Sequence, residues 1–290
     1  MTELNKAEKY MLENIIELTN NGYKDENPRP KYASDGSPAH TYSINQVVMR
    51  FDISKGEFPI TELRPIAIKS GIKEILAFYQ DQTNDLNILK DKYGLEWWNE
   101  FEVGDTQSIG FRYGHTVKRY DLMNKLLEGL ENDLFSRRHI ISLWQEQEFE
   151  DEKQGLKPCA MMNLWSARKV GDDIYLDMTL VQRSSNFLIA GHINEMQYVA
   201  LMMMVCKHLG YKCGVFMHVI QNYHVYDREL EQVEELVKRI DQLKQREVQS
   251  KPKLILNVPE YTNFYDIAAD DFELVDYHPI KPQLKFDLAI

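Results

Sequence analysis

The sequence predicts a single α+β domain over residues 1–290, and three observations lead to this prediction. Helix-type and strand-type apolar patterns both occur, but they do not alternate strictly as in a doubly wound α/β fold. No linker rich in Pro, Gly or Ser interrupts the 290 residues, a length that suffices for one large core. A hydrophobic content of 43% with 27% charged residues is typical of a globular protein.

Helices dominate the predicted N-terminal half. Apolar side chains recur at helical spacing from Leu4 to Leu18, and Asn21-Gly22 is typical of a helix C-cap. In chain order we expect a helix over 4–21, a polar loop over 24–40, a strand over 42–51, a helix over 66–80, a short aromatic-rich segment over 84–103 and a helix over 119–132.

Strands dominate the predicted C-terminal half. The β-type runs occupy residues 140–144, 160–166, 174–180, 214–219 and 253–257. An apolar helix is predicted over 195–209, and we interpret its Met202-Met203-Met204 as core filler. A charged helix with an apolar stripe is predicted over 227–247, at the surface.

Charge and composition argue against several functions. A net charge of −11 disfavours nucleic-acid binding, which needs a broad basic surface, although a few arginines can still bind a small anion. No apolar run reaches membrane-spanning length and the first residues do not resemble a secretory signal, so we expect a cytoplasmic protein with no membrane partner. Three cysteines at unrelated spacings and the scattered histidines argue against a disulfide framework or a metal site.

Cys159 is the candidate nucleophile. It follows Pro158 at the start of a predicted strand, and a thiol becomes nucleophilic when nearby cations lower its pKa. The alternative is a structural role, because an isolated free cysteine is usually a small buried apolar residue. Cys206 and Cys213 keep that structural interpretation.

Charged residues in apolar surroundings are further candidates. Arg183 lies in an apolar strand region, where a guanidinium requires a bound anion or a carboxylate partner. Arg137 and Arg138 either bind a phosphate or form a solvated pair at a helix end. Glu74 lies in an apolar helix, so we expect a raised pKa suited to general acid–base catalysis, with a structural salt bridge as the alternative.

His224 and Tyr226 alternate along a predicted strand, so their side chains face the same side. Together with the neighbouring Asn222 they form either a hydroxyl-binding surface or a satisfied polar patch.

Taken in chain order, these residues resemble the thymidylate synthase family over nearly the whole chain. The similar motifs are Ser34-Asp35-Gly36-Ser37-Pro38-Ala39-His40, Met49-Arg50-Phe51, Glu74-Ile75-Leu76-Ala77-Phe78, Tyr113-Gly114, Ser136-Arg137-Arg138-His139, Lys157-Pro158-Cys159, Gln182-Arg183-Ser184, Asn194, His224-Val225-Tyr226 and Phe286-Asp287-Leu288-Ala289-Ile290. No single motif identifies the family, but the occurrence of all these motifs in the order that the family shows does. The resemblance implies a thymidylate synthase-like mixed β-sheet flanked by helices, and a homodimer formed through the sheet.

The resemblance also implies a reaction, in which the Cys159 thiolate adds to C6 of dUMP and C5 then attacks the methylene group of methylene-tetrahydrofolate. The implied catalytic residues are Cys159, Glu74, Tyr113, Asn194 and Arg183. The implied nucleotide-binding residues are Arg29, Arg137, Arg138, Gln182, Arg183, Ser184, Asn194, His224 and Tyr226, with Arg137 and Arg138 supplied by the second subunit. The implied folate-binding residues are Trp98, Phe101, Asn186, Ala190, Gly191, His192 and Ile290. The amide of Asn194 suits uracil, because it can donate to a ring carbonyl and accept from a ring N–H.

Four departures from the family pattern cluster on the folate side. They are Asn186 in place of an aspartate, the loop 189–194 without its proline, Asn222-Tyr223 in place of Gly-Asp, and Phe101 in place of a second tryptophan. Hydride delivery by tetrahydrofolate needs close alignment, whereas hydroxymethylases of the same fold let water attack the one-carbon unit. We therefore expect a dUMP hydroxymethylase of the type found in phages, with thymidylate synthase as the alternative. An inactive nucleotide- or RNA-binding homologue is the third hypothesis, and the retained Cys159 and Glu74 argue against it.

Overall fold

A mixed β-sheet forms the centre of the computed structural model, which describes residues 3–152 and 155–289. The strands are β1 (Tyr23–Lys24), β2 (Thr41–Asp52), β3 (Ile140–Ser142), β4 (Ala160–Val170), β5 (Asp173–Gln182), β6 (Ser185–Asn186), β7 (Lys212–Tyr226), β8 (Lys253–Leu256) and β9 (Phe272–Val275). The helices are α1 (Lys6–Asn21), α2 (Ile68–Ile75), α3 (Leu86–Asp91), α4 (Gly114–Arg119), α5 (Leu122–Asn132), α6 (Glu146–Asp151), α7 (His192–Leu209) and α8 (Leu230–Lys244). The predicted α+β class is confirmed.

Strand order in the main sheet is β1-β2-β7-β5-β4-β3, and the short β6 pairs with β7. The β5–β7 and β6–β7 pairs are parallel, while the other neighbours in this sheet are antiparallel. Strands β8 and β9 form a separate two-stranded antiparallel sheet. The parallel pairing brings the ends of β5 and β7 to one edge, and both ends carry predicted site residues.

The two faces of the sheet differ, because side chains alternate along each strand. In β5, Leu176, Met178 and Leu180 are fully buried, whereas the alternate positions Thr179 and Val181 are only half-buried. Helix α7 covers the buried face and is itself buried along most of its length, as a central helix should be. The opposite face is uncovered in this single chain.

Several elements differ from the predictions. The strand predicted over 214–219 and the predicted strand that carries His224 and Tyr226 form one continuous strand, β7, because both pair with the long β2 from Thr41 to Asp52. The helix predicted over 119–132 is present as α5 from Leu122, because Asp121 adopts a left-handed conformation (φ 51°) before it, and the preceding α4 was not predicted. Helix α2 continues as a π-helical turn (Leu76–Gln80), and a second π-helical turn (Phe187–Gly191) precedes α7. Helix α6 and strand β9 were not predicted.

None of the described helices has the length and apolarity that crossing a membrane requires.

Candidate active site

Cys159 lies directly before β4 and is held there by its backbone. Its carbonyl accepts a 2.9 Å hydrogen bond from the backbone N–H of Arg183, and its own N–H donates to the hydroxyl of Tyr113 over 3.4 Å. The first contact joins the start of β4 to the end of β5, so the thiol position depends on the pairing of these two strands. The side chain is half-buried.

Arg183 holds the loop that carries the thiol. Its Nε donates to the carbonyl of Pro158 over 2.9 Å and its Nη2 to the carbonyl of Lys157 over 2.7 Å. The same Nη2 lies 3.5 Å from the sulfur of Cys159. Among the described residues, backbone carbonyls rather than a carboxylate are the partners of this guanidinium, so the other expected partner, a bound anion, stays a prediction.

Burial raises the pKa of the Cys159 thiol, and the positive charges of Arg183 and Arg29 lower it by less. The sequence-based expectation was a thiol made acidic by these arginines. Their effect has the expected sign, but burial outweighs it in a single unliganded chain.

Three N–H groups converge on the carboxylate of Glu74. The indoles of Trp97 and Trp98 donate to its Oε2 over 2.9 and 2.8 Å, and the amide of Gln197 donates to its Oε1 over 2.7 Å. Burial raises the pKa of Glu74, which these donors oppose. The predicted raised pKa is confirmed, and the partners are neutral donors rather than the ion pair of the alternative interpretation.

A chain of side-chain amides connects Glu74 to the end of β5. The Nε2 of Gln182 donates to the Oδ1 of Asn194 over 3.1 Å, and the Nδ2 of Asn194 donates to the Oε1 of Gln197 over 2.9 Å. Gln182 also donates to the carbonyl of Ser184 over 3.0 Å. Sequence reasoning missed Gln197, although its i+3 spacing from Asn194 places both on one face of α7.

Aromatic rings form the wall between Glu74 and the thiol. Tyr113 stacks on Phe78 with ring centroids 4.9 Å apart, and Trp98 meets Tyr113 edge-on at 5.2 Å. Phe101 contacts Trp98 at 5.7 Å. Tyr113 has a φ of 46°, a strained value for a residue with a side chain, which the surrounding packing maintains. This cluster of mostly buried rings separates the carboxylate from the thiol with apolar side chains.

His224 and Tyr226 lie together at the end of β7, with ring centroids 5.4 Å apart. The Nδ1 of His224 is 2.8 Å from the Oδ1 of Asn222. Burial lowers the pKa of His224 to about 4, against a smaller opposing effect of Asn222, so the ring is neutral at pH 7. Burial raises the pKa of Tyr226 to about 12, with smaller increases from Glu229 and Cys159. Both rings are therefore neutral hydrogen-bonding groups close to the thiol.

Arg29, Arg137 and Arg138 are exposed. Arg29 is close enough to influence the pKa values of Cys159 and Tyr226, whereas Arg137 and Arg138 lie between α5 and β3 and have no described contact with the site residues. The single chain thus brings Arg183 and Arg29, two of the four arginines predicted to bind the phosphate, close to the thiol.

The predicted folate-side residues are engaged in local structure. Asn186 caps the following turn through its Oδ1, which accepts from the N–H groups of Leu188 and Ile189, and its Nδ2 contacts both oxygens of Glu229 at 3.0 and 2.8 Å. Ala190 and Gly191 belong to the π-helical turn, and the Nδ1 of the buried His192 lies 3.1 Å from the Oε2 of Glu195. Ile290 lies outside the described residues. A folate-binding role for these residues stays a prediction.

The site combines a thiol beside a guanidinium with a buried carboxylate linked to side-chain amides, a set of groups that is typical of enzymes with a cysteine nucleophile. Among the described residues, no group of three or more His, Cys, Asp and Glu side chains is arranged to hold a metal ion.

Comparisons with known proteins agree with this class. The family model of thymidylate synthase matches residues 9–290. The thymidylate synthase of Streptococcus pneumoniae (strain 70585) is 53% identical over 287 residues, covering 99% of this chain and 100% of the relative. The thymidylate synthase of Streptococcus gordonii (strain Challis) has the same identity and coverage. The structure of thermostable thymidylate synthase A from Bacillus subtilis superposes with a TM-score of 0.85 at 32% identity, covering 98% of this chain and 99% of that one.

The chain belongs to the thymidylate synthase family, and it is a one-carbon transferase whose co-substrate is methylene-tetrahydrofolate. The relatives carry the name of the synthase, so they support the alternative among our expectations better than the hydroxymethylase that the folate-side departures suggested. Nothing in the comparisons supports a phage-type hydroxymethylase.

Proposed function

We propose that this protein is a thymidylate synthase that converts dUMP and methylene-tetrahydrofolate into dTMP and dihydrofolate, with residues 1–290 acting as one catalytic domain. One observation carries the proposal. The sulfur of Cys159 lies 3.5 Å from Nη2 of Arg183 at the sheet edge where Gln182 begins the amide chain to Glu74. The proposed nucleophile thus lies next to side-chain amides that can hydrogen-bond the edge of a pyrimidine ring.

The reaction begins when Cys159 loses its proton and its sulfur bonds to C6 of the uracil ring. The electrons of the C5–C6 double bond move toward O4, and C5 then forms a bond to the methylene carbon of the folate. C5 next loses its proton, and Glu74 with its raised pKa is the group suited to organise that transfer. Tetrahydrofolate leaves the one-carbon unit and returns a hydride to it, which releases dihydrofolate, and Cys159 departs as C6 regains its double bond.

Asn194 would recognise the base. Its amide uses one lone pair of Oδ1 for Gln182 and one hydrogen of Nδ2 for Gln197. One acceptor site and one donor hydrogen remain, which match the ring N–H and the carbonyl oxygen of uracil.

Arg183, Arg29, His224 and Tyr226 would hold the phosphate and the sugar hydroxyl. We infer that Arg137 and Arg138 complete the phosphate site of a second subunit, because in the single chain they are exposed and have no described contact with the site residues. The uncovered sheet face supports a dimer through the sheet, since apolar side chains occupy it, among them Val48, which is 51% exposed.

Mixed dimers test the sharing of arginines. A Cys159→Ala subunit and an Arg137→Ala/Arg138→Ala subunit are each expected to be nearly inactive alone. Reassociation after mixing should restore activity, because half of the sites in a mixed dimer then combine an intact thiol with intact arginines. An absence of restored activity in dimers that have demonstrably exchanged subunits argues against shared sites.

The reaction itself is tested with dUMP labelled by tritium at C5. The protein should release tritium and form dihydrofolate, which is followed by its absorbance, and Cys159→Ala should abolish both signals. Tritium release with tetrahydrofolate and 5-hydroxymethyl-dUMP as products would instead establish the hydroxymethylase. Binding of dUMP without tritium release would favour an inactive nucleotide-binding homologue.

A further inference from the structure

A buried carboxylate lies between two imidazoles just behind the proposed base-reading amides. Glu195 of α7 is 1% exposed, and His218 of β7 is completely buried. The Oε1 of Glu195 lies 3.2 Å from Nδ1 of His218, and its Oε2 lies 3.1 Å from Nδ1 of His192. The reaction proposed above gives none of these three side chains a role.

The hydrogen-bond pattern determines where the protons of His218 lie. The Nε2 of Gln182 faces the backbone carbonyl of Ser184 at 3.0 Å, and a backbone carbonyl can only accept. The amide oxygen of Gln182 must therefore face Nε2 of His218, 2.9 Å away, and this nitrogen must donate. The other nitrogen, Nδ1, faces a carboxylate and must donate as well. Both ring nitrogens of His218 therefore face hydrogen-bond acceptors, an arrangement that suits an imidazolium.

The charges of the cluster then balance. In that form an ionised Glu195 would pair with His218, while His192 would contribute one N–H to the second carboxylate oxygen. Burial opposes ionisation of Glu195, yet the two imidazoles outweigh it and hold the pKa of this carboxyl below its usual value. A buried ion pair of this kind is retained only with good geometry and satisfied partners, both of which are present for His218.

We propose that Glu195 and His218 are positioning residues, whose buried ion pair holds the amides of Gln182 and Asn194 in the orientation that selects uracil over cytosine. The inference rests on the proposed function, in which Asn194 reads the base. An imidazolium can only donate, so it rejects a rotated Gln182 that would point its NH₂ group at His218.

Rotation of Gln182 would propagate to the base. A rotated Gln182 loses its donation to Ser184 and offers its oxygen to Asn194, which then turns its NH₂ group toward Gln182 and exchanges the positions of its own donor and acceptor. Gln197 must turn with Asn194, so that its oxygen faces a protonated Glu74, which the raised pKa of this carboxyl permits. The reversed amide suits cytosine, which has an acceptor at N3 and an amino group at C4, where uracil has a donor and a carbonyl. The ion pair thus acts on specificity without touching the substrate.

Two substitutions separate this role from a merely structural one. In Glu195→Leu, His218 loses its charge and can donate or accept at Nε2, so the ratio of kcat/KM for dUMP to that for dCMP, measured as tritium release from C5, should fall about tenfold. Glu195→Gln can donate its NH₂ group to Nδ1 of His218 and keep the proton on Nε2, so it should retain the ratio within about twofold. A Leu variant with reduced rates and an unchanged ratio overturns the proposal.

Nitrogen NMR of the full protein labelled with ¹⁵N-histidine tests the ion pair independently of activity. The signal that disappears in His218→Gln should show two protonated ring nitrogens in the wild type and one in Glu195→Gln. A single protonated nitrogen in the wild type overturns the proposal, even where a Leu variant fails to fold. If wild-type protein releases no tritium from dUMP, the proposed function fails, while the NMR result still decides the charge state of His218.

Discussion

The contact between Arg183 and Cys159 predicts how fast the thiol reacts. Two opposite unit charges at 4 Å interact by about 4 kcal/mol at an effective dielectric constant of about 20. Both side chains are half-buried, so solvent screens part of this interaction and we expect about 2 kcal/mol in favour of the thiolate. Replacement of Arg183 by Gln should therefore reduce the thiolate population about thirtyfold at a pH below the pKa of the thiol.

The reaction rate should fall by less than the thiolate population. A less acidic thiol is intrinsically more nucleophilic, with a Brønsted coefficient of about 0.4–0.5, which offsets about half of the loss on a logarithmic scale. Reaction of Cys159 with an aromatic disulfide reagent at pH 7 should therefore be about fivefold slower in Arg183→Gln. A Cys159→Ala protein measures the background from Cys206 and Cys213.

Arg183→Lys is the matched control, because it keeps the positive charge and loses the planar fork that binds the carbonyls of Lys157 and Pro158. It should react within about twofold of the wild-type rate. Equal slowing in the Lys and Gln variants would refute the electrostatic reasoning, since the loop-holding hydrogen bonds would then explain the effect. An unchanged rate in Arg183→Gln would refute it as well.

Three further predictions follow from the polar groups of the site. Glu74→Gln should lower kcat about a hundredfold or more, with a smaller change in the KM for dUMP. The reason is that an amide cannot accept hydrogen bonds from all of Trp97, Trp98 and Gln197 and cannot transfer protons. An unchanged kcat in steady-state assays would contradict this prediction. His224 has a pKa of about 4 in the folded protein against 6.5 for an ordinary histidine, so about 3 kcal/mol of the free energy of unfolding is present above pH 6.5 and is lost as the pH falls to about 4. In urea unfolding, His224→Gln should show a loss smaller by that amount, and an equal loss would disprove the assignment. Glu229 has a pKa of about 7 in the folded protein against 4.5 for an ordinary glutamate, so about 3 kcal/mol of the free energy of unfolding is present below pH 4.5 and is lost as the pH rises through about 7. In unfolding experiments, Glu229→Gln should remove this loss, whereas Glu231→Gln, at an exposed position, should not.

The sequence predicted the fold class and most elements because their signals are local. Period-two and period-3.6 patterns identify strands such as β5 and helices such as α7 without any knowledge of their neighbours. The errors have non-local or conformational causes. Two predicted strands are the single β7 because β2 pairs along most of its length, and α5 begins only after Asp121 because that residue is left-handed.

The candidate site divides in the same way. Ordered motifs identified Cys159, Arg183, Glu74 and Asn194 as candidates, since residue type and chain order are properties of the sequence. Gln197 was missed because a glutamine in an apolar helix carries no signal until Glu74 is known to face it. The role of Asn186 as a cap and as a partner of Glu229 was missed for the same reason.

The sequence by itself determined the family and identified Cys159 as the candidate nucleophile, together with several of the polar groups around it. Only the tertiary structure decided the balance of charges among them: that burial outweighs two arginines at Cys159, that Arg183 binds backbone carbonyls, and that Glu195 meets His218. The physical reason is that desolvation and hydrogen-bond direction depend on atoms from distant parts of the chain. The sequence shows which polar groups are present, but packing decides which of them are charged and in which direction they form hydrogen bonds.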